Sequence, residues 1–146
     1  MSTPHDPWKV TGYTLLRVGI GVSLVAHAVP ALWHLPEFVE RVRGMFAPLR
    51  LPAWMVVPFA WLIPPVEVAL GTLTVLGVWT RLVIAASGVW MIALLAGSNV
   101  LERPDLVLPG LIYLVVYFLL LQFAELNVVS LDRAVRGQDP GSRGTM

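Results

Sequence analysis

Four apolar runs, each near the twenty residues that cross roughly 30 Å of hydrocarbon, limit what this chain can fold into. They fall at about 13–33, 59–79, 82–101 and 107–126. Inside lipid a backbone must satisfy its own N–H and C=O groups, so runs of this length become helices. Composition agrees: 57% of residues are hydrophobic and 13% charged, with a mean hydropathy of +0.76, far from an ordinary soluble domain. The expected fold is an all-α membrane protein, a bundle of four transmembrane helices within residues 13–133. Residues 1–12 read as a polar head and residues 134–146 as a mobile tail.

Between the first two runs the pattern changes. Leu35, Phe38, Val39, Val42, Met45, Phe46 and Leu49 recur at helical spacing, with Glu37, Glu40, Arg41 and Arg43 largely opposite. That is an amphipathic helix over about 35–50, too charged to span, lying at the interface or capping the bundle. Short turns join the later runs. Gly88 and Gly97 in the third run are expected to permit close helix contact. Pro64 and Pro65 are expected to break or kink the second run just before Glu67.

Glu67 is the residue that most bears on function. An acid inside a span is costly unless it is neutralised or paired, so its presence calls for a reason. At a rise of about 1.5 Å per residue, His27 lies roughly 21 Å from the terminal side, Glu67 roughly 18 Å and Tyr113 roughly 19–20 Å. Three hydrogen-bonding groups from three spans share one layer. His27 and Glu67 could hold a proton between them and titrate as a unit, or simply tie two helices. Arg17 sits about 6 Å deep, near the depth of Gln122. Thr74 can bond back to its own helix. Trp79 and Arg81 close the second run and read as interface anchors, with Arg81 able to reach the last carbonyls of that helix.

Other classes are excluded on simple grounds. The chain has no cysteine, so disulfides, thiolate metal sites and dithiol relays are out. Three scattered histidines without a paired carboxylate motif give no metal site. A net charge of +1 and no basic tract with interleaved aromatics give no nucleic-acid partner. No nucleotide or flavin fingerprint occurs.

Several short motifs come in a suggestive order: Leu15-Leu16-Arg17-Val18-Gly19, then His27 ten residues after Arg17, then Pro65-Val66-Glu67 with Gly71. They are followed by Gly77-Val78-Trp79-Thr80-Arg81-Leu82 and a closing Ser130-Leu131-Asp132. Together they resemble the DoxX-like family of small integral membrane proteins. The resemblance implies a four-helix protein of prokaryotic type, with relatives such as the small membrane subunit of thiosulfate:quinone oxidoreductase. It thus implies a membrane subunit or anchor of a quinone-linked redox assembly, its electrons coming from a partner oxidoreductase and no catalysis expected from this chain alone. Quinone is the ligand such a role would bring, and His27, Glu67, Tyr113 and Arg17 are the candidate ligand-binding residues. A small-molecule transporter or lipid-binding protein, and a purely structural anchor, are the competing readings. The lipid bilayer is the first partner, and a homo-oligomer is left open.

Four spans put both termini on one side. Lys9, Arg81, Arg133, Arg136 and Arg143 lie there, against Arg41, Arg43, Arg50 and Arg103 on the other. The positive-inside rule therefore favours cytoplasmic termini in a cell membrane. Reporter fusions after Leu49 and after Arg136 should report opposite sides, the second cytoplasmic; two same-side signals would rule out four spans.

Overall fold

The computed structural model describes residues 6–130, and within them every regular element is helical. α1 spans Pro7–Trp33, α2 Leu35–Phe46, α3 Ala53–Leu76, α4 Thr80–Val100 and α5 Pro104–Gln122, with single 3₁₀ turns at Ala47–Leu49 and Ala124–Leu126. α1, α3, α4 and α5 are each long and apolar enough to cross a membrane. The protein is thus an all-α, multi-pass membrane protein. Residues 131–146, which hold the end of the Ser130-Leu131-Asp132 motif and the expected mobile tail, lie outside the described residues.

Local chemistry sets the ends. α1 starts at Pro7 because Asp6 caps it, its carboxylate accepting from the Trp8 amide at 3.0 Å, with proline at the first helical position. The helix therefore begins well before Tyr13 and takes in the second half of the expected polar head. α3 stops at Gly77, whose φ of +69° is a left-handed conformation that glycine adopts without strain. Exposed tryptophans mark the two water boundaries, Trp8 and Trp79 at one end and Trp33 and Trp54 at the other. Trp8 and Trp33 are about 37 Å apart along α1, a match to hydrocarbon plus part of both interfaces.

Packing is uneven. α1 lies closest to α3, and α4 to α5, while α3 and α4 touch less although only three residues join them. The α1–α3 contact is made by two glycines. A Cβ on Gly21 would stand 2.8 Å from the Gly71 carbonyl oxygen, and a Cβ on Gly71 would stand 2.9 Å from the Gly21 carbonyl oxygen. Reciprocal contacts of that length mean backbone against backbone. In the other pair Leu95 occupies the space a side chain on Gly110 would need, its Cδ2 2.6 Å from that Cβ position. Gly88 and Gly97, expected to mediate contact, do not: nothing lies within 4 Å of a Cβ at Gly88, and Gly97 meets only the Phe46 ring at 3.7 Å.

Two cores result. Tyr13, Ile84, Met91, Leu95, Tyr117, Leu120 and Leu126 join α1 to α4 and α5. Val39 and Val42 of α2 pack on Val56 and Ala60 of α3, so the amphipathic helix caps one end of the bundle. The expected break at Pro64-Pro65 is corrected: α3 runs unbroken through Pro58, Pro64 and Pro65. Contacts to α2 near its start and to α1 at Gly71 hold it on both sides of the prolines, and packing outweighs the lost hydrogen bonds.

Gly71→Ala should lower the melting temperature in detergent, at a cost of about 1–3 kcal/mol from forced overpacking. Gly88→Ala should leave it unchanged or slightly higher, and equal losses in both variants would contradict the contact.

Candidate functional site

Two polar centres lie inside the bundle. The first is at the terminal end. Arg17 belongs to the buried stripe of α1, Tyr13, Arg17, Gly21, Leu24 and Ala28, and is only 3% exposed. Its Nη1 donates to Asn127 Oδ1 at 2.9 Å and its Nη2 to the Val129 carbonyl at 2.7 Å. Asn127 Nδ2 in turn donates to the Thr80 hydroxyl at 2.8 Å. The space that a Cβ would take at Gly77 is filled by the Arg17 guanidinium. Glycine is therefore required there twice, for its positive φ and for the room. Arg17 thus latches the segment after α5 onto the α3–α4 turn, rather than sharing a layer with Gln122, which is exposed. Beside it the Tyr13 hydroxyl is buried without a hydrogen bond to any described residue.

The second centre is about 15 Å further in, one α3 rise of ten residues from Gly77. Glu67 is 5% exposed, on the buried stripe of α3 with Pro64, Gly71 and Thr74. The ion pairs among the described residues, Arg43–Glu40 and Arg103–Asp105, are both at the surface, and Glu67 takes part in neither. Tyr117, almost fully buried, has Ser87, Tyr113 and Glu67 as its polar neighbours. The Tyr113 and Tyr117 rings are 6.2 Å apart, and the Tyr113 hydroxyl is 2.7 Å from the Ser23 hydroxyl of α1. Ser87 and Thr74 spend their hydroxyl protons on Val83 and Leu70 carbonyls of their own helices, as expected for Thr74.

The expected pairing of His27 with Glu67 does not form. Near the level of Glu67 the α1 residues that turn inward are Leu24 and Ala28, both buried. His27, one residue before Ala28 and about 100° round the helix, is turned to the exposed face of α1. There it shares a face with Ser23, one turn away, and that face reaches Tyr113. So the layer divides in two: Glu67, Tyr117 and Ser87 inside, and Ser23, Tyr113 and His27 at the boundary with lipid. Sequence reasoning gives Ser87, Asn127 and Thr80 no role of their own, and reads Tyr117 as a packing residue. The four-residue spacing from Tyr113 is the feature that sets Tyr117 on the same face.

At the α3–α4 turn Trp79 is 70% exposed, with φ at +43°. Arg81 is exposed in the first turn of α4. It therefore sits at the start of α4 rather than in the last turn of α3.

With this geometry in hand the chain can be compared with known proteins. The family described as Methylamine utilisation protein MauE matches residues 9–109, more than two thirds of the sequence. The chain belongs to the MauE family. The match takes in the motifs at 15–19 and 65–82, and it replaces the DoxX-like assignment that those motifs suggested. The structure accounts for the misleading likeness. Gly71 and Gly77 serve close packing, while Trp79 and Arg81 lie at the end of a span, requirements that many small membrane bundles share. No curated protein and no solved structure matches this MauE-family chain.

Arg17→Lys should destabilise the protein by about 2 kcal/mol, since one ammonium cannot reproduce the guanidinium's bonds to both Asn127 and Val129. Melting in detergent, with proteolysis of the 126–130 segment, checks this; wild-type behaviour of the lysine variant would reduce the latch to a charge effect.

Proposed function

We propose that this MauE-family protein is the membrane component of a methylamine-oxidising system, acting beside an oxidoreductase that carries the electron-transferring group. The family description supports methylamine utilisation, and opening the C–N bond of a primary amine by oxidation releases two electrons that need an acceptor. A bilayer quinone is a suitable one. Bound quinone would supply the two-electron, two-proton acceptor chemistry, the electrons arriving from the partner oxidoreductase.

One observation carries the reading: a hydroxyl pair at mid-membrane, Ser23 and Tyr113 at 2.7 Å, that opens toward lipid and is backed by buried Tyr117 and by Glu67, which has no ion pair among the described residues. Hydroxyls and an imidazole can donate to the two carbonyl oxygens of a quinone headgroup. These residues fit such a headgroup, approached sideways from the bilayer. Ser23, Tyr113 and His27 would orient it, and Glu67, through Tyr117, would hold or return a proton. Arg17 takes no part, being committed to the latch. A structural anchor would need none of the lipid-facing donors.

Glu67→Gln keeps shape and removes the charge. It should leave the protein inserted and its melting temperature near wild type, while weakening binding of a short-chain quinone about five- to tenfold. A lower melting temperature with unchanged quinone affinity would assign Glu67 to helix tying and remove the site.

A further inference from the structure

At the end of the bundle opposite the termini, the turn between α4 and α5 opens a groove of about 390 Å³ lined by Asn99, Glu102, Arg103, Val107, Leu108 and Leu111. Because α4 and α5 both span, this turn lies at headgroup depth. Below it the wall is apolar and faces lipid, with Leu108 63% exposed. The rim carries both signs of charge in an unequal arrangement. Arg103 gives Nε and Nη2 to the two oxygens of Asp105, at 2.8 and 2.7 Å. Among the described residues its Nη1 meets only the Met45 sulfur, a weak acceptor, at 3.9 Å. Asp105 is therefore neutralised, whereas the exposed Glu102 has no ion-pair partner among the described residues. Glu102 is held with φ at +53°, a conformation that a non-glycine residue adopts at some cost. Asn99 donates its Nδ2 to the Leu95 carbonyl at 2.8 Å, which leaves its Oδ1 as an acceptor.

We propose that this groove is a specific site for an aminophospholipid, a lipid with a primary ammonium and a phosphate on one headgroup. The ammonium, with three N–H donors, meets the Glu102 carboxylate and Asn99 Oδ1. The phosphate meets Arg103 Nη1, and an acyl chain runs down Val107, Leu108 and Leu111. Charge complementarity selects the occupant. A choline headgroup has a cation without N–H donors and cannot bond the two acceptors. A glycerol headgroup leaves Glu102 unpaired beside an added negative charge.

The full chain, reconstituted in vesicles of equal phosphatidylethanolamine, phosphatidylcholine and phosphatidylglycerol with identical acyl chains, is extracted in mild detergent and its retained lipid measured. Phosphatidylethanolamine should be enriched about three- to fivefold over phosphatidylcholine, the size of one interfacial ion pair. Glu102→Gln should return that ratio to the bulk value with an unchanged melting temperature, and Arg103→Gln should lower retention of all three lipids. On the wild-type protein, successive N-methylation of phosphatidylethanolamine should reduce retention stepwise, which tests the donors without any variant. A bulk ratio in the wild type, enrichment that survives Glu102→Gln, or preference for phosphatidylglycerol would each overturn the proposal.

Discussion

The contact between Gly21 and Gly71 sets the rest of the structure. In lipid no hydrophobic gain drives helices together, so association rests on close packing and internal hydrogen bonds. Two glycines facing each other let α1 and α3 touch backbone to backbone, and the touch fixes their register. From that register Arg17 falls over Gly77, where its guanidinium has room, while Leu24 and Ala28 turn inward and His27 turns outward. A side chain at either glycine would push the helices apart and loosen both polar centres together.

The two centres divide the work. Near the terminal end side-chain hydrogen bonds tie Arg17 to Asn127 and Asn127 to Thr80, and their product is a fixed fold. Deeper in, the arrangement is open. Glu67 has no ion pair among the described residues, and Tyr113 carries the polar layer from Tyr117 out to Ser23. A buried acid beside hydroxyls that continue to the lipid boundary is an arrangement that helix tying alone does not call for. It is on this opening toward the lipid in the middle of the bundle that the functional reading rests.

Much of the fold was legible in the sequence because it depends on quantities that a single chain displays. Run length and hydropathy gave the four spans, and helical spacing gave α2 as an amphipathic cap. What was not legible depended on rotation and register between helices. Depth along a span can be counted from rise per residue, so His27 and Glu67 were placed at one level. Which way each faces is decided by partners, and a one-residue difference sent His27 to the lipid side. Glycine showed the same limit: Gly88 and Gly21 look alike in sequence, yet only Gly21 has a helix against it. Proline misled in the other direction, since Pro64-Pro65 announces a break that packing around α3 suppresses. Asn127, just beyond the last span, gave no hint that Arg17 would reach it. The family likeness failed for a related reason, as its short motifs record packing and interface demands that other small membrane bundles share.

The central claim is that the Ser23–Tyr113 boundary of this MauE-family protein admits a quinone headgroup from the bilayer. Photolabelling the reconstituted protein with a photoreactive quinone, and mapping the labelled peptides, addresses it most directly. The account predicts label concentrated on α1 around Ser23 and on α5 around Tyr113, displaced by excess unlabelled quinone. Label spread evenly over the lipid-facing helices, as from a photoreactive fatty acid, and unaffected by excess quinone would contradict it.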